Sequence, residues 1–350
     1  MESKSHKIWW SKVTVKNPKN VFLGKRKWNS YDIGNLILLI VFHGLALFAP
    51  FTFNWKVFLV SAILTFITGV CGVTLSYHRN LSHRSFKLPK LLEYFFAYCG
   101  LLAFQGDPIG WVSIHRYHHQ FTDLDQDPHS PIKGFWFSHF TWLIDTEPTA
   151  KRPAGNFGEN KPLSLKNSKP QQGISLFGLS FGHPEYGNVK DMQNQPFYMF
   201  LRNTYILHVL TFGLLLYTLG GFPYFVWGMG VRFVYLTHVT GLLSSVCHVW
   251  GNQIWNTDDL SKNNWWVGLV AAGEGWHNNH HAFPYSARHG LEWWQIDVTW
   301  YIVKLLQLLG LATDIKLPIE THKQRLTFKT EKMIGSLNHR IVESCFDPTI

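Results

Sequence analysis

Two long apolar segments without formal charge open the hydrophobic pattern of this chain of 350 residues. The first covers 21 residues and the second, which starts three residues later, covers 19. At a rise of about 1.5 Å per residue, a helix of either length crosses the roughly 30 Å hydrocarbon core of a bilayer. We therefore expect membrane-spanning helices at about residues 33–53 and 56–76.

A second apolar region lies between Arg202 and Asp258, where the 55 intervening residues hold a single formal charge, Arg232. The tetrapeptide Gly-Gly-Phe-Pro interrupts this region near its middle, as a helix-breaking turn would. The pattern predicts two further spans, at about residues 203–220 and 223–250. Buried helical hairpins of a soluble protein are the alternative, but these segments are longer than ordinary core helices.

The charge pattern predicts how these spans are oriented. The first 32 residues carry eight Lys or Arg and two acidic residues, so the positive-inside rule places them in the cytosol or in the equivalent stroma of a plastid. Four crossings return the chain to its starting side, so everything outside the hairpin tips faces that compartment. We interpret the net charge of +10 as an orientation signal and expect no nucleic-acid binding, because no basic stripe with interleaved aromatics appears elsewhere.

Composition divides the chain into a basic N-terminal segment at 1–32, a membrane domain at 33–318 and a polar tail at 319–350. Within the domain, residues 147–190 are rich in Pro, Gly, Asn and Lys without periodicity, which predicts a flexible loop. Residues 1–32 have neither the apolar core of a cleavable signal peptide nor the Arg- and Ser-rich composition of a plastid transit peptide. We therefore expect the endoplasmic reticulum membrane, with a chloroplast membrane as the alternative.

Histidines form the most distinctive polar pattern of the chain. Nine of the 19 lie in four short windows, and the spacing H-x-x-H-H occurs twice: His78 and His83; His115, His118 and His119; His248; His277, His280 and His281. Positions i, i+3 and i+4 share one face of a helix, so we expect each triplet to aim three imidazoles the same way. The predicted topology brings all nine to one side of the bilayer.

The other ten histidines lack such spacing, and we interpret them as ordinary surface or core residues: His6, His43, His129, His139, His183, His208, His238, His289, His322 and His339.

Nine imidazoles exceed the coordination capacity of one ion, so the pattern implies two metals. Imidazole suits zinc, iron, copper and nickel, and spacing does not choose among them. None of the windows contains a carboxylate, unlike the Glu and Glu-x-x-His pattern of soluble di-iron bundles. The predicted fold class is an all-α integral membrane protein, with four transmembrane helices in two hairpins and a cytosol-facing helical cap that holds a histidine-rich dimetal site.

The histidine windows read H-R-N-L-S-H at 78–83, H-R-Y-H-H at 115–119 and H-N-N-H-H at 277–281. In this order they resemble the histidine boxes of membrane fatty acid desaturases of the acyl-CoA (delta-9) type. The framing stretches GDPIGWVSIHRYHHQFTD, DPHSP, GFWFSH and GLEWWQIDVTWY are most similar to the plant branch, and the resemblance covers nearly all of residues 27–318.

This resemblance implies a delta-9 or delta-7 type oxidoreductase in which two Fe²⁺ ions use dioxygen and two electrons to form a cis double bond in a saturated acyl chain. It assigns all nine histidines to metal ligands, with His248 as the ligand outside the boxes, and no catalytic side chain beyond them. The family often has an Asn four residues before that ligand, thought to hold a metal-bound water. Ser244 stands there, and the shorter side chain would keep only part of this contact.

The resemblance also bears on the substrate and the electron donor. Animal members carry charged residues linked to coenzyme A where this chain has Ser113, Ile114, Ile132 and Lys133. We therefore expect either an acyl-CoA or an acyl chain on a membrane glycerolipid. The electron donor would be cytochrome b5 in the endoplasmic reticulum or ferredoxin in a plastid.

Two other functions fit the histidines less well. A histidine-box hydroxylase shares ligands and oxidant but returns oxygen to the carbon, and the resemblance favours desaturation. A membrane metal transporter would place its ligands within the spans near the bilayer midplane, whereas most of these histidines lie outside the predicted spans.

Overall fold

The computed structural model of the protein describes residues 6–22, 26–146, 175–176, 179–180 and 187–328. Most of the predicted loop at 147–190 and of the predicted tail at 319–350 lies outside these described residues. The described part is mostly helical, which agrees with the helical content of the predicted class.

Four very short strands form two antiparallel pairs. Strand β1 (His6–Lys7) pairs with β2 (Thr14–Val15), with His6 opposite Val15. Strand β3 (Ser175–Leu176) pairs with β4 (Leu179–Ser180). Neither pair contributes to the histidine windows at 78–83, 115–119 and 277–281.

The helices of the described residues follow one another in chain order, and several are short. They are α1 (Ser30–Ala46), α2 (Ala49–Thr52), α3 (Trp55–Thr65), α4 (Lys90–Leu101), α5 (Pro108–Gln120), α6 (Phe135–His139), α7 (Lys190–Gln193), α8 (Pro196–Asn203), α9 (Tyr205–Phe225), α10 (Arg232–Ser244), α11 (Val246–Val249), α12 (Trp265–Val270), α13 (His277–Ala282), α14 (Val298–Leu308) and α15 (Glu320–Leu326). Wider π-helical turns continue α3 through Phe66–Ser82 and α9 through Val226–Val231, and single 3₁₀ turns occur at Pro131–Lys133, Thr141–Ile144 and Gly187–Val189.

Two helices of the described chain are long and apolar enough to cross a membrane, Trp55–Ser82 and Tyr205–Val249. The second is sharply kinked at Gly221, whose φ of 70° and ψ of −165° are accessible to glycine and strained for other residues. Pro223 follows, and its ring prevents a regular helix across this point. The predicted interruption of the second apolar region is therefore present.

The two arms of the kinked helix pack against each other. A Cβ atom added at Gly228 would lie 2.6 Å from Leu216 Cδ1, and one added at Gly213 would lie 3.1 Å from Met229 Cε. Glycine thus permits a close approach of the arms. Helix α4 contacts the first long helix in the same way, since a Cβ at Gly72 would meet the backbone nitrogen of Gly100 at 2.3 Å.

The first predicted apolar segment differs from a single uninterrupted helix. Helix α1 ends at Ala46, and Pro50 lies in the separate short helix α2 before Asn54 caps the next helix through the amide of Val57. In contrast, the helix predicted for about 56–76 continues without a break to Ser82 and so carries the first histidine window. The helix thus extends beyond the predicted span, because helical hydrogen bonding continues into the polar window.

Candidate metal centre

The first histidine window is held by a buried ion-pair network around Arg79. This guanidinium is 0% exposed and donates from Nη2 to Asp297 Oδ1 at 2.9 Å and to Glu274 Oε1 at 2.8 Å. Paired, doubly hydrogen-bonded charges offset the large cost of burying them. Arg79 therefore joins the end of the first long helix to Glu274, which precedes the third window, and to Asp297, which follows it.

The second window lies on α5, whose start the sequence specifies. Asp107 caps the helix by accepting from the amides of Ile109 and Gly110 at 3.0 Å each, and Pro108 occupies the first helical position. The cap fixes the helix start and with it the directions in which the three histidines of this window project.

The third window lies on the short helix α13, which its two asparagines anchor. Asn278 Oδ1 accepts from the amides of Ile254 and Trp255 at 2.7 Å each. Asn279 donates from Nδ2 to His289 O at 2.8 Å. Both asparagine side chains are buried and hydrogen-bonded. They therefore position the helix so that its three histidines face the site.

The nine predicted site histidines come together as two adjacent clusters. Within each cluster, one ligand-type nitrogen per residue lies within 4.8 Å of all the others. The five-histidine cluster comprises His78, His83, His115, His119 and His280, and the four-histidine cluster comprises His118, His248, His277 and His281.

Each H-x-x-H-H triplet is divided between the clusters, and the division is reciprocal. The i and i+4 residues of α5, His115 and His119, join the five-histidine cluster, while His118 joins the other. On α13, His277 and His281 join the four-histidine cluster, while His280 crosses to the five-histidine cluster. The expectation that a triplet aims all its rings one way is therefore corrected, because i and i+4 lie closer in angle than i and i+3.

The distances within the clusters fit metal coordination. Nε2 atoms of different rings lie 2.7 Å apart for His83 and His115 and 2.9 Å apart for His280 and His119. Two ligands at right angles around an ion with metal–nitrogen bonds of about 2.1 Å would lie about 3.0 Å apart. Both clusters thus have the size of a first coordination sphere.

The positions of the ring protons in the four-histidine cluster also favour a bound cation. Nδ1 of His248 lies 2.9 Å from Asp123 and that of His281 lies 2.9 Å from Asp259, so each carboxylate accepts the Nδ1 proton, and in the neutral ring, which is the form that binds a metal, Nε2 bears the lone pair. Both Nε2 atoms lie 3.1 Å from Nε2 of His277, which carries at most one proton. A metal ion between them satisfies every lone pair.

Four carboxylates support the site, and the sequence analysis missed them. Asp127 Oδ2 lies 3.0 Å from His118 Nδ1, and Glu274 Oε2 lies 2.6 Å from His78 Nδ1, in addition to the partners of His248 and His281. Carboxylate-oriented histidines are typical of metal sites. Asp127 and Glu274 stand within eight and three residues of a histidine window, which is a weak signal, and only the fold shows which ring each one meets.

Burial and neighbouring charges set the protonation of these groups, and their effects differ: burial opposes protonation of His248, but the nearby Asp123 raises its pKa overall. Burial and the neighbouring imidazoles lower the pKa of His115, His119 and His280 well below its usual value, so the rings are neutral at pH 7. Burial opposes ionisation of Asp127 and Asp259, but the adjacent His118 and His281 outweigh it, and the pKa of each carboxyl lies below its usual range. The carboxylates are therefore charged.

Two histidines interpreted as ordinary residues lie at the edge of the centre. His289 is 1% exposed, its Nδ1 lies 3.3 Å from Glu274 Oε2, and burial lowers its pKa to about 4. His129 Nδ1 lies 3.7 Å from Asp127 Oδ1. Their isolation in the sequence hid these contacts, so the interpretation as plain surface or core residues was incomplete for both.

The five-histidine cluster is accessible and Ser244 is buried. A cavity of about 550 Å³ is lined by His83 and His119 together with Arg84 and Arg116. Ser244 is 8% exposed and ends α10 one turn before His248.

The comparison with protein families identifies the family of this chain. A model described as fatty acid desaturase matches residues 53–308, which include all nine site histidines. The chain belongs to the fatty acid desaturase family. This membership confirms the sequence-based resemblance, and with it an oxidoreductase of lipid metabolism that desaturates fatty acyl chains.

Similar members of this desaturase family come from plants. The chain is 53% identical over 330 residues, 94% of this chain and 81% of the relative, to palmitoyl-monogalactosyldiacylglycerol delta-7 desaturase, chloroplastic, of Arabidopsis thaliana. It is 52% identical over 319 residues, 91% of this chain and 93% of the relative, to acyl-CoA C20 Delta5-desaturase of Anemone leveillei. It is 50% identical over 302 residues, 86% of this chain and 89% of the relative, to delta-9 acyl-lipid desaturase 1 of Arabidopsis thaliana.

Family membership and the histidine clusters together suggest a metal site in this desaturase.

Proposed function

We propose that this desaturase would hold one iron ion in each histidine cluster and use dioxygen, two electrons and two protons to remove two hydrogens from a saturated acyl chain, leaving a cis double bond and two water molecules. The nine ligands are His78, His83, His115, His119 and His280 for one ion and His118, His248, His277 and His281 for the other. The observation that carries this proposal is the reciprocal division of the two H-x-x-H-H triplets into clusters of coordination size. Iron supplies the oxygen binding and redox change that amino-acid side chains lack.

In this proposal, other residues of the protein hold and orient the imidazole ligands. Carboxylates fix the imidazole tautomers, Arg79 fixes the carboxylate of Glu274, and Asn278 and Asn279 fix α13. Burial excludes water from His280, which is 0% exposed. No side chain other than the ligands is needed to move a hydrogen atom in this scheme.

Ser244 is the proposed site of a water-mediated contact to the four-histidine ion. It lies in the turn before His248, at the end of α10, and is buried. A hydroxyl offers one donor and two acceptor positions for such a water.

We further propose the predicted membrane arrangement, with spans at about 33–53, 56–76, 203–220 and 223–250 and with the histidine centre facing the cytosol. Large apolar side chains exposed on these helices support it: Ile40 is 62% exposed, Leu59 58% and Leu214 63%. Such side chains suit hydrocarbon and are unfavourable in water. The proposed division into segments 1–32, 33–318 and 319–350 follows from these spans.

The substrate proposed is an acyl chain carried on a membrane glycerolipid or on coenzyme A. Lys133, at a position linked to coenzyme A in animal members, is 4% exposed and donates from Nζ to Asp127 O at 2.5 Å. Ser113 donates to Asn188 Oδ1 at 2.8 Å. Because both side chains are engaged within the protein, we favour the glycerolipid.

The proposed location is the endoplasmic reticulum with cytochrome b5 as donor, and the alternative is a chloroplast membrane with ferredoxin. Two relatives carry the word chloroplastic in their names, the delta-7 desaturase above and probable lipid desaturase ADS3.2 of Arabidopsis thaliana. The location of a fluorescently tagged full chain in plant cells distinguishes the endoplasmic reticulum, with cytochrome b5, from the chloroplast, with ferredoxin.

Expression in a desaturase-deficient yeast tests the activity. We expect new monounsaturated acyl chains in extracted lipids, and enrichment in glycerolipids before the acyl-CoA pool would support the lipid-linked substrate. Hydroxylated products without new double bonds would contradict desaturation. His322→Ala is the matched control, because this ring contacts Tyr285 and belongs to neither cluster.

A further inference from the structure

The two histidine clusters differ in how their rings are supported. Three of the four imidazoles in the four-histidine cluster have a carboxylate at Nδ1, at 2.9 or 3.0 Å. In the five-histidine cluster, His78 alone has a carboxylate contact among the described residues, with Glu274. A carboxylate that fixes a ligand histidine contributes about 10- to 100-fold to metal affinity.

The clusters also differ in charge. Glu274 shares its negative charge with Arg79, at 2.8 Å. Asp123, Asp127 and Asp259 form no ion pair with Lys or Arg among the contacts of the described chain; for example, Asp123 Oδ2 accepts from the amide of Leu260 at 2.8 Å. Lys262 lies near Asp123 and Asp259, and Lys133 lies near Asp127, without forming a direct ion pair with them. The part of the carboxylate charge that these lysines do not offset is available to a cation in the four-histidine cluster, where low dielectric strengthens the attraction.

Access to the clusters differs as well. The side chains of His118, His248 and His281 are 3%, 0% and 1% exposed. The cavity of about 550 Å³ reaches His83 and His119 of the five-histidine cluster. A chelator or competing proton thus reaches the five-histidine cluster first.

We propose that the four-histidine cluster is the high-affinity, slowly exchanging metal site, held by Asp123, Asp127 and Asp259 as positioning residues, and that the five-histidine cluster releases its metal first. The inference rests on the proposed two-metal function. The fifth imidazole favours the other cluster, whereas two additional carboxylate partners, at about 10- to 100-fold each, favour the four-histidine cluster.

The test measures iron release from the purified full chain in detergent. The protein is loaded anaerobically with Fe²⁺ and dialysed against a chelator, and retained iron is measured by mass spectrometry over time. We expect two phases of one equivalent each, with the second at least about 10-fold slower.

Variants assign the phases to the clusters. Asp259→Asn should accelerate the slow phase by about 10- to 100-fold and leave the fast phase unchanged. Asp258→Asn is the matched control, because it removes the same charge from the exposed neighbouring residue. His119→Ala should remove the fast equivalent and retain the slow one. If Asp259→Asn fails to fold, Asp123→Asn provides the same measurement, since asparagine tolerates the positive φ of 59° found there.

The outcomes separate this inference from the proposed function. Two equivalents released in a single phase, or acceleration of the fast phase alone by Asp259→Asn, would overturn the asymmetry and leave the two-iron function intact. A wild-type protein that binds fewer than two equivalents would overturn the two-iron function and the asymmetry together.

Discussion

Two groups of buried or partly buried histidines in this protein have similar nitrogen–nitrogen distances and different geometries. At the metal centre, Nε2 atoms from several rings converge at 2.7 to 3.1 Å. In the second group, which we term the histidine chain, His43 Nε2 lies 3.1 Å from His238 Nε2, and His238 Nδ1 lies 3.0 Å from His139 Nε2. Rings joined end to end leave no common centre, so short distances alone do not define a metal site.

The two histidine groups also differ in the partners that accept hydrogen bonds from their outermost rings. The histidine chain ends at two carbonyls: Leu39 O lies 2.7 Å from His43 Nδ1, and Ser245 links His139 to Gly241 O. The histidine chain thus ends on backbone carbonyls and one hydroxyl, whereas three rings of the four-histidine cluster have a carboxylate at Nδ1, which leaves their Nε2 atoms available to a metal ion.

Loss of a converging ring should have the largest effect. His280→Ala should remove the metal of the five-histidine cluster and reduce desaturation at least about 100-fold, because a ligand contributes more than the partner that orients it. Iron content and yeast lipid analysis measure the two effects, with His322→Ala as control. Unchanged iron content would remove His280 from the ligands and weaken the contrast with the histidine chain.

Loss of the buried cation behind the centre should affect folding next most strongly. Arg79→Met leaves Glu274 and Asp297 buried without their partner and should lower stability by about 3–5 kcal/mol. A thermal unfolding scan in detergent measures this against Lys87→Met, whose pair with Asp314 is exposed and screened by water, so that its loss should change stability little. Equal shifts for both variants would mean that the buried pairs do not anchor the metal centre.

Loss of a ring from the histidine chain should have a moderate effect on stability and none on iron. His238→Ala leaves His43 and His139 without their partner, at a cost of about 1–3 kcal/mol. The same unfolding scan gives the stability, and metal analysis should still find the wild-type iron content. Iron loss in this variant would couple the two groups and remove the distinction between them.

Ser244→Asn should have the smallest effect. A longer amide can reach a metal-bound water that the hydroxyl contacts only in part, so we expect turnover to rise by a few-fold, by about 1 kcal/mol of added interaction. Product formation per bound iron measures it. No gain would show that serine is sufficient at this position.

Much of the architecture was predictable from the sequence because apolar length and helix breakers act locally. The helical class and the interruption near Gly221 follow from uncharged segments and a Gly-Gly-Phe-Pro tetrapeptide. The early end of α1 at Ala46 and the continuation of the next helix to Ser82 did not follow. Both depend on where hydrogen bonding and packing end, which hydropathy does not report.

The sequence by itself determined the family and singled out the nine histidines on which the prediction of two metals rests, because ligand type and spacing are local properties. The tertiary structure alone decided that His118 and His280 exchange clusters, that Asp123 and Asp259 orient rings far from them in sequence, and that His43, His139 and His238 form a chain instead. The physical reason is that coordination and charge balance depend on distances between segments, and only packing of the helices sets those distances.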